Sequence, residues 1–290
     1  MSTPAPQRSD FRFFHRLRVR WVEVDMQKIV FNGHYAMYLD TAMGDYWREL
    51  ALPYEASMQA LGGELYVKRL TLEYHASAHY DDVLEVGLRC RRIGNSSIEL
   101  VGAIFRGDQL LVSGELLYVF ADPATQTSRR VPDALRSLLL DHAAGQPVFE
   151  VRRGDWTTLG ADAARVRTEV FVQEQAIPLD EEWDEADANA LHAVVYNRLD
   201  QALATGRLLV HAPGVARIGR MAVLRAMRGS GLGADVLRTL MEAARQRGDR
   251  EVLLHAQTSA RGFYEKLGFE PRGDVFYEVD IPHIEMVRGL

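Results

Sequence analysis

Two stretches of this chain combine residue types and spacings suited to chemistry. In the first, a strand-like run ends on a carboxylate, Asp25, and a helix-forming run opens seven residues later at Asn32 and Gly33. The leading amides of a helix have no intrahelical acceptor and sit at the positive end of its dipole. Those near Asn32 and Gly33 can therefore polarise a thioester carbonyl as it becomes an oxyanion, while Asp25 attacks it or activates a water. One oxyanion donor is worth about 10²–10³ in rate and a positioned base about 10²–10⁴, so the pair can supply much of a catalytic effect. Plainer roles stay open: Asn32 is a good helix N-cap, and Asp25 can satisfy backbone donors in its own loop.

In the second stretch, the apolar strand residues Met221, Ala222 and Val223 lead into Arg228, Gly229, Ser230, Gly231, Leu232, Gly233 and Ala234, and a helix follows. Glycines let the backbone close on a pyrophosphate, and the helix start supplies amides and dipole to bind it. A tight strand-to-helix turn would use the same glycines. Neither the Lys-Ser/Thr ending of a P-loop nor the acidic strand of a dinucleotide fold follows.

The elements that must position these residues fall into two sets. A strand is expected over 11–24, where Leu17, Val19 and Trp21 alternate with Arg16, Arg18 and Arg20. From Asn32, the spacing of Tyr35, Tyr38, Leu39, Ala42, Met43 and Tyr46 predicts a helix of about four turns. Ala36, Met37 and Trp47 extend its apolar surface, so burial nearly all round is expected. Strands over 65–75, 83–93, 97–106 and 109–121 follow, joined by the turn dipeptides Gly94-Asn95 and Gly107-Asp108 into antiparallel hairpins. The pattern is α+β. A tail helix over 131–140 precedes a small, polar stretch, and the expected division is a domain at 10–141, a linker at 142–148 and a domain at 149–290. The second domain reads as α/β, with helices over 161–173, 231–247 and 259–267 and strands over 190–198, 206–211, 216–223 and 251–257. Residues 1–9 read as a floppy tail.

With 290 residues, 47% hydrophobic and 26% charged, the chain has the composition of a globular protein with two cores. A net charge of −6 argues against nonspecific nucleic-acid binding, which needs a basic footprint. The single cysteine, Cys90, excludes an intrachain disulfide and a cysteine-built zinc site, and fits a cytoplasmic setting. No apolar run is long enough to span a membrane, and His75 and His79 have no metal-like companions, so neither a membrane nor a metal is expected.

Residues 17 to 47, with Val67-Lys68-Arg69-Leu70-Thr71-Leu72-Glu73-Tyr74 and Gly114-Glu115-Leu116-Leu117-Tyr118-Val119-Phe120-Ala121-Asp122, resemble the hotdog thioesterases of the 4-hydroxybenzoyl-coenzyme A type over about residues 11–140. The resemblance implies an antiparallel sheet wrapped round a central helix. It puts Asp25 in the place of the catalytic aspartate, gives the oxyanion amides to the Asn32 and Gly33 region, and implies a homodimer or higher homo-oligomer. Gln27, Lys28 and Asn32 depart from the glycines and histidine that many relatives carry. Arg129 and Arg130 can pair with coenzyme A phosphates or form a solvated basic turn.

Arg228, Gly231 and Gly233, with the Phe263-Tyr264 and Gly268-Phe269 pairs, resemble the GCN5-related N-acetyltransferases (GNATs) over about residues 149–288. The resemblance implies that acetyl-coenzyme A binds as a substrate at this strand and helix, along Met221 to Ala234, and that Tyr264 protonates the departing thiolate. A buried tyrosine with its hydroxyl on a carbonyl is the plainer alternative. Glu174 and His192 are weak candidates for the base that deprotonates an amine acceptor. The acidic run from Asp180 to Asp187 reads as a solvated loop, or as a steering patch for a cationic amine. Together these readings give a bifunctional acyl-coenzyme A enzyme. The alternatives are an acetyltransferase whose hotdog half is catalytically silent and a ligand sensor that turns nothing over.

Overall fold

The computed structural model describes residues 5–290, and the chain divides after Val148 into two compact units. In the first unit, β1 (Phe13–Arg18), β2 (Glu64–Tyr74), β3 (Val83–Ile93), β4 (Ser97–Arg106) and β5 (Gln109–Ala121) form one antiparallel sheet in the order β1-β3-β4-β5-β2. The helices are α1 (Asn32–Glu49), α2 (Tyr54–Leu61) and α3 (Asp133–Ala143). This is the expected α+β arrangement of a sheet curled on a central helix.

The long helix sits where it does because two strands make room for it. Gly102 of β4 and Gly114 of β5 face each other across the ladder, and a β carbon on Gly102 would lie 2.5 Å from Leu39 Cδ2. The paired glycines thus let Leu39, fully buried, rest against the backbone of the sheet. Burial of α1 is one-sided, however. Tyr35, Tyr38, Leu39, Ala42, Met43, Tyr46 and Trp47 face inward, while Met37 and the interleaved Asp40, Thr41, Gly44 and Arg48 stay exposed. The apolar residues off the stripe are too few to demand cover on that side.

The first strand stops at Arg18 and not near residue 24. A helical turn, Trp21–Glu23, replaces its end, because Glu23 turns inward and accepts from the Arg20 main-chain amide at 2.7 Å. Of the expected tail, residues 5–9 are described, and Arg8 is anchored by Glu85 at 2.8 Å and lies 4.5 Å over the Phe14 ring. The rest of that tail, residues 1–4, lies outside the described residues.

The second unit carries β6 (Phe149–Gly154), β7 (Leu191–Asn197), β8 (Ala202–Ala212), β9 (Val215–Val223), β10 (Glu251–Gln257), β11 (Glu270–Glu278) and β12 (Ile281–Gly289) in the order β11-β12-β10-β9-β8-β7-β6. Its helices are α4 (Trp156–Arg167), which runs on into a π-helical stretch Thr168–Glu174, α5 (Leu179–Glu182), α6 (Leu232–Arg247) and α7 (Arg261–Lys266). Both α4 and α6 pack on β7, β8 and β9, and β8 is accordingly buried on both faces from Ala202 to Leu208. Every neighbouring pair is antiparallel except β9 and β10, whose parallel pairing covers only Val215 to Arg217 against Glu251 to Leu253.

Candidate functional sites

In the first unit, Asp25 opens a tight turn. Its Oδ1 accepts from the Gln27 amide at 2.8 Å, its carbonyl accepts from Lys28 at 2.9 Å, and its own amide donates to Ile29 at 2.9 Å. Lys28 takes φ 63° to close that turn. The helix then starts at Asn32 with Phe31 as the capping residue, so Asn32 is the first helical residue rather than the N-cap, and no side chain caps this end. The amides of Asn32 and Gly33 are thereby left without an internal acceptor among the described residues, and both residues are exposed.

The carboxylate that fixes this loop is Glu23, which the sequence reading did not single out. It is buried, and it accepts from the Arg20 guanidinium at 2.6 and 2.8 Å and from the Tyr38 hydroxyl of α1 at 2.8 Å. Burial pushes its carboxyl up, but the Arg20 amide, the Arg20 guanidinium and the Tyr38 hydroxyl together outweigh that and hold it below its ordinary value. Its carbonyl also accepts from the Phe31 amide at 2.9 Å. Glu23 thus ties both ends of the Asp25 loop together and to α1. Arg129 donates to the Gly62 carbonyl at 2.5 Å and Arg130 pairs with Asp133 at 2.7 Å, so both are already engaged.

In the second unit the site follows from the sheet. Past Arg217 and Leu253, β9 and β10 no longer pair, yet both continue, so a wedge opens between them. A bulge in β9 lies beside it: Thr205 pairs with Ala222 and Arg207 with Gly219, leaving Arg220 and Met221 opposite Gly206 alone. Arg220 takes φ 50° there, a conformation that long side chains seldom adopt. A cavity of about 200 Å³ occupies the wedge, lined among others by Ile218, Met221, Leu254, His255 and Tyr264.

Met221, Ala222 and Val223 form the end of β9, and the chain then turns through Arg225–Met227 into the glycines. Gly229 and Gly231 both have φ 88°, with nothing within 4 Å of where a β carbon would stand. The Ser230 hydroxyl donates to the Met227 carbonyl at 2.6 Å and holds the turn. The amides of Gly229, Gly231, Leu232 and Gly233 have no internal acceptor among the described residues, while Ala234 donates to the Gly231 carbonyl at 2.9 Å. Gly233 packs closely, a β carbon there standing 3.2 Å from Val223. The Arg228 side chain points to Glu174, with both contacts at 2.6 Å.

Tyr264 sits on α7 at 8% exposure, its ring edge-on to Phe263 and Phe269, and it borders the cavity. Burial pushes its hydroxyl up to about 12, which keeps the phenol protonated and able to donate near neutral pH. The two candidate bases are otherwise occupied. Glu174 is paired with Arg228, and His192 is 1% exposed with Nε2 2.9 Å from the Asp187 carbonyl. Burial pushes the imidazole of His192 down.

The acidic run is only partly a solvated loop. Asp180, Glu181 and Glu185 face out, but Glu182 and Asp187 are buried against Arg167, at 2.5 and 2.8 Å, and Asp184 grips Arg207 with two contacts of 2.6 Å. The Arg167 guanidinium also lies 4.6 Å from the Trp183 ring and 5.6 Å from that of Trp156. Arg207 and Arg220 join this cluster to the cavity wall. Among the described residues no group of three or more histidines, cysteines or carboxylates could hold a metal ion, and no helix is long and apolar enough to cross a membrane.

Comparison with known proteins gives a match for each unit. Residues 27–113 match the family model described as thioesterase superfamily, and residues 158–290 match the one described as acetyltransferase (GNAT) domain. An uncharacterized N-acetyltransferase of Bacillus subtilis, YjcF, is 36% identical over 44% of this chain and 90% of its own. The crystal structure of a putative N-acetyltransferase from Lactobacillus plantarum shares 31% identity over 50% of this chain and 99% of its own, with a TM-score of 0.47. That of YbaW, a probable thioesterase from Escherichia coli, shares 22% over 43% of this chain and 95% of its own, with a TM-score of 0.39.

Proposed function

Since the chain belongs to the GNAT acetyltransferases through its second unit and to the thioesterase superfamily through its first, we propose that it is a bifunctional enzyme of acyl-coenzyme A. The second unit moves an acetyl or other acyl group from coenzyme A to an amine, and the first hydrolyses acyl-coenzyme A thioesters. The observation that carries this reading is the wedge between β9 and β10. It is bordered by the protonated Tyr264 and stands at the end of a strand leading to a turn with four unsatisfied amides.

In the transfer half, the amides of Gly229, Gly231, Leu232 and Gly233 take the pyrophosphate, and the open space over the two left-handed glycines admits it. The acyl group lies along Met221 to Val223. The amine nitrogen bonds to the acyl carbon, the carbon–sulfur bond breaks, and the Tyr264 hydroxyl gives its proton to the thiolate. In the hydrolytic half, the amides of Asn32 and Gly33 hold the carbonyl oxygen and Asp25 attacks or activates water.

One observation favours a second reading, in which the first unit binds acyl-coenzyme A or dimerises without hydrolysing it. An Asp25 oxygen is already engaged by the Gln27 amide, as in an ordinary Asx turn. Thiol release from a panel of acyl-coenzyme A esters, with and without amines, separates the two. Asp25→Asn should abolish release without amine, and Tyr264→Phe should slow amine-dependent release. Amine-independent release unchanged by Asp25→Asn defeats the hydrolase assignment.

We assign the assembly to the hotdog unit. The edge strand β2 has one ladder partner, β5, and leaves Tyr66, Val67, Leu70 and Tyr74 exposed, an open edge that a second copy can cover. The buried lone thiol of Cys90 suits the cytoplasm.

A further inference from the structure

The transfer reaction needs an acceptor for the amine proton, and the geometry points to His255, held by Glu278, as that base. This rests on the acetyltransferase reading. His255 lies on β10 where the strand has parted from β9, and its ring lines the same cavity as Tyr264. Three elements bring charged groups to it: Glu278 from β11, Glu285 from β12 and Arg217 from β9.

Their distances fix the tautomer. Nδ1 is 2.7 Å from Glu278 Oε1 and 3.1 Å from Arg217 Nη2. A guanidinium only donates and an ionised carboxylate only accepts. A bare Nδ1 lone pair against the nearer carboxylate would be repelled, so Nδ1 carries the proton and donates it to Glu278. In the neutral imidazole Nε2 then carries the lone pair. The nearest carboxylate to it, Glu285 Oε2, is 3.9 Å away, beyond a hydrogen bond, and the other oxygen of Glu285 is held by Arg272 at 2.5 Å. Phe276 meets the imidazole edge-on at 4.8 Å and fixes its plane.

The ring is therefore oriented by a carboxylate on one nitrogen and free to take a proton on the other, which is how a general base is built. As the amine nitrogen forms its bond to the acyl carbon and the carbon–sulfur bond breaks, the proton shed by nitrogen passes to His255 Nε2, directly or through one water. The thiolate takes its proton from Tyr264, and solvent returns the His255 proton to the phenolate. Acid and base thus stand in one cavity, and Glu278 acts as a positioning residue.

The test uses the full chain, acetyl-coenzyme A and the most active amine from a panel of amino acids, amino sugars and polyamines. His255→Gln should lower kcat by about 10²–10⁴ with acetyl-coenzyme A affinity by calorimetry unchanged, which also reports that the unit is folded. The loss should shrink with trifluoroethylamine, a weakly basic amine whose adduct sheds its proton readily, compared with ethylamine. Glu278→Gln should lower kcat several-fold, and its effect should vanish in the His255→Gln background, an outcome that a merely structural role would not give. A wild type that transfers acetyl while His255→Gln keeps kcat within threefold sinks the base and leaves the acetyltransferase standing. So does an equal loss with both amines. A wild type that binds acetyl-coenzyme A but transfers to no amine sinks both.

Discussion

Glu174 and Arg228 form a bidentate pair, each guanidinium nitrogen 2.6 Å from a carboxylate oxygen, and it ties the glycine turn to the end of the π-helical stretch. The arginine of the turn is thus neutralised before any ligand arrives, and it holds Glu174 below its ordinary value. Its side chain is 44% exposed, where such a pair is worth about 0.2–1 kcal/mol. Arg228→Ala is expected to weaken acetyl-coenzyme A binding less than about fivefold by calorimetry, within that energy. A loss beyond a hundredfold would mean that the guanidinium leaves Glu174 for the phosphates.

The glycines beside it should be far less tolerant. At Gly231, φ 88° with open space around it separates backbone strain from crowding. An alanine there costs about 1–2 kcal/mol in the left-handed conformation, and its methyl would stand in the open space proposed for the pyrophosphate. Gly231→Ala should reduce acetyl-coenzyme A affinity more than tenfold while lowering the melting temperature by only a few degrees. Affinity kept intact would remove the pyrophosphate from this turn.

Gly102 tests the packing of the first unit. A methyl there would meet Leu39 Cδ2 at 2.5 Å, and overpacking of this kind costs about 1–3 kcal/mol. Gly102→Ala should therefore lower the thermal midpoint, and Gly102→Ala with Leu39→Ala should be less damaging than the two separate losses added together, because the cavity made by one accommodates the other. Strict additivity would show that the pair does not set the seat of α1.

Acid should loosen the first unit through Glu23. Its folded pKa lies below the ordinary carboxylate value, so its stabilisation is complete above about pH 4.3, the unfolded value, and is lost as pH falls through the lower folded one. A thermal-midpoint series from pH 7 to pH 3 should fall more steeply for the wild type than for Glu23→Gln. Parallel curves would show that the carboxylate is not what clamps the loop. In the second unit, Asp184 and Asp187 are lowered and behave as Glu23 does. Glu182 is raised by burial, so its contribution is instead lost as pH rises through its folded value.

Much of the fold could be read from sequence wherever one face of an element is repetitive. Strands β3, β4 and β5 run between the expected residues, and α6 begins one residue after its expected start. Short elements escaped, α2, β6 and α5 among them. In α2 only Ser57 and Met58 are buried, too few to show a period, and β6 carries Arg152 and Arg153 on an edge strand. The glycine turn could be read because its conformation demands glycine. The buried charges could not. Arg167, Arg207, Glu182 and Asp187 resemble a solvated surface until the chain is folded, since their partners lie 15 and 20 residues away. Nothing in the sequence of its strand marks His255 out, and Glu278 becomes its partner only through the strand order β11-β12-β10.

The open edge of β2 supplies the last prediction. Tyr66, Val67, Leu70 and Tyr74 are each more than a third exposed along one edge strand, and an edge with free amides and apolar side chains pairs readily with another chain. Lys68 stands at a register shift between Val67 and Arg69, so the ladder to β5 is interrupted there, and the residues on either side of Lys68 stay exposed. Replacing Val67 and Leu70 together by glutamate puts like charges opposite one another in any two-fold pairing, while burying nothing new within the subunit. Light scattering should give a dimer or larger for the wild type and a monomer for the double variant, with an unchanged far-ultraviolet circular dichroism spectrum. If the hydrolysis proposed at Asn32 needs the second copy, amine-independent thiol release should fall with the dimer, and the transfer proposed for the other unit should not. A wild type that is monomeric at micromolar concentration would remove the assembly and, with it, the reason for the bare strand.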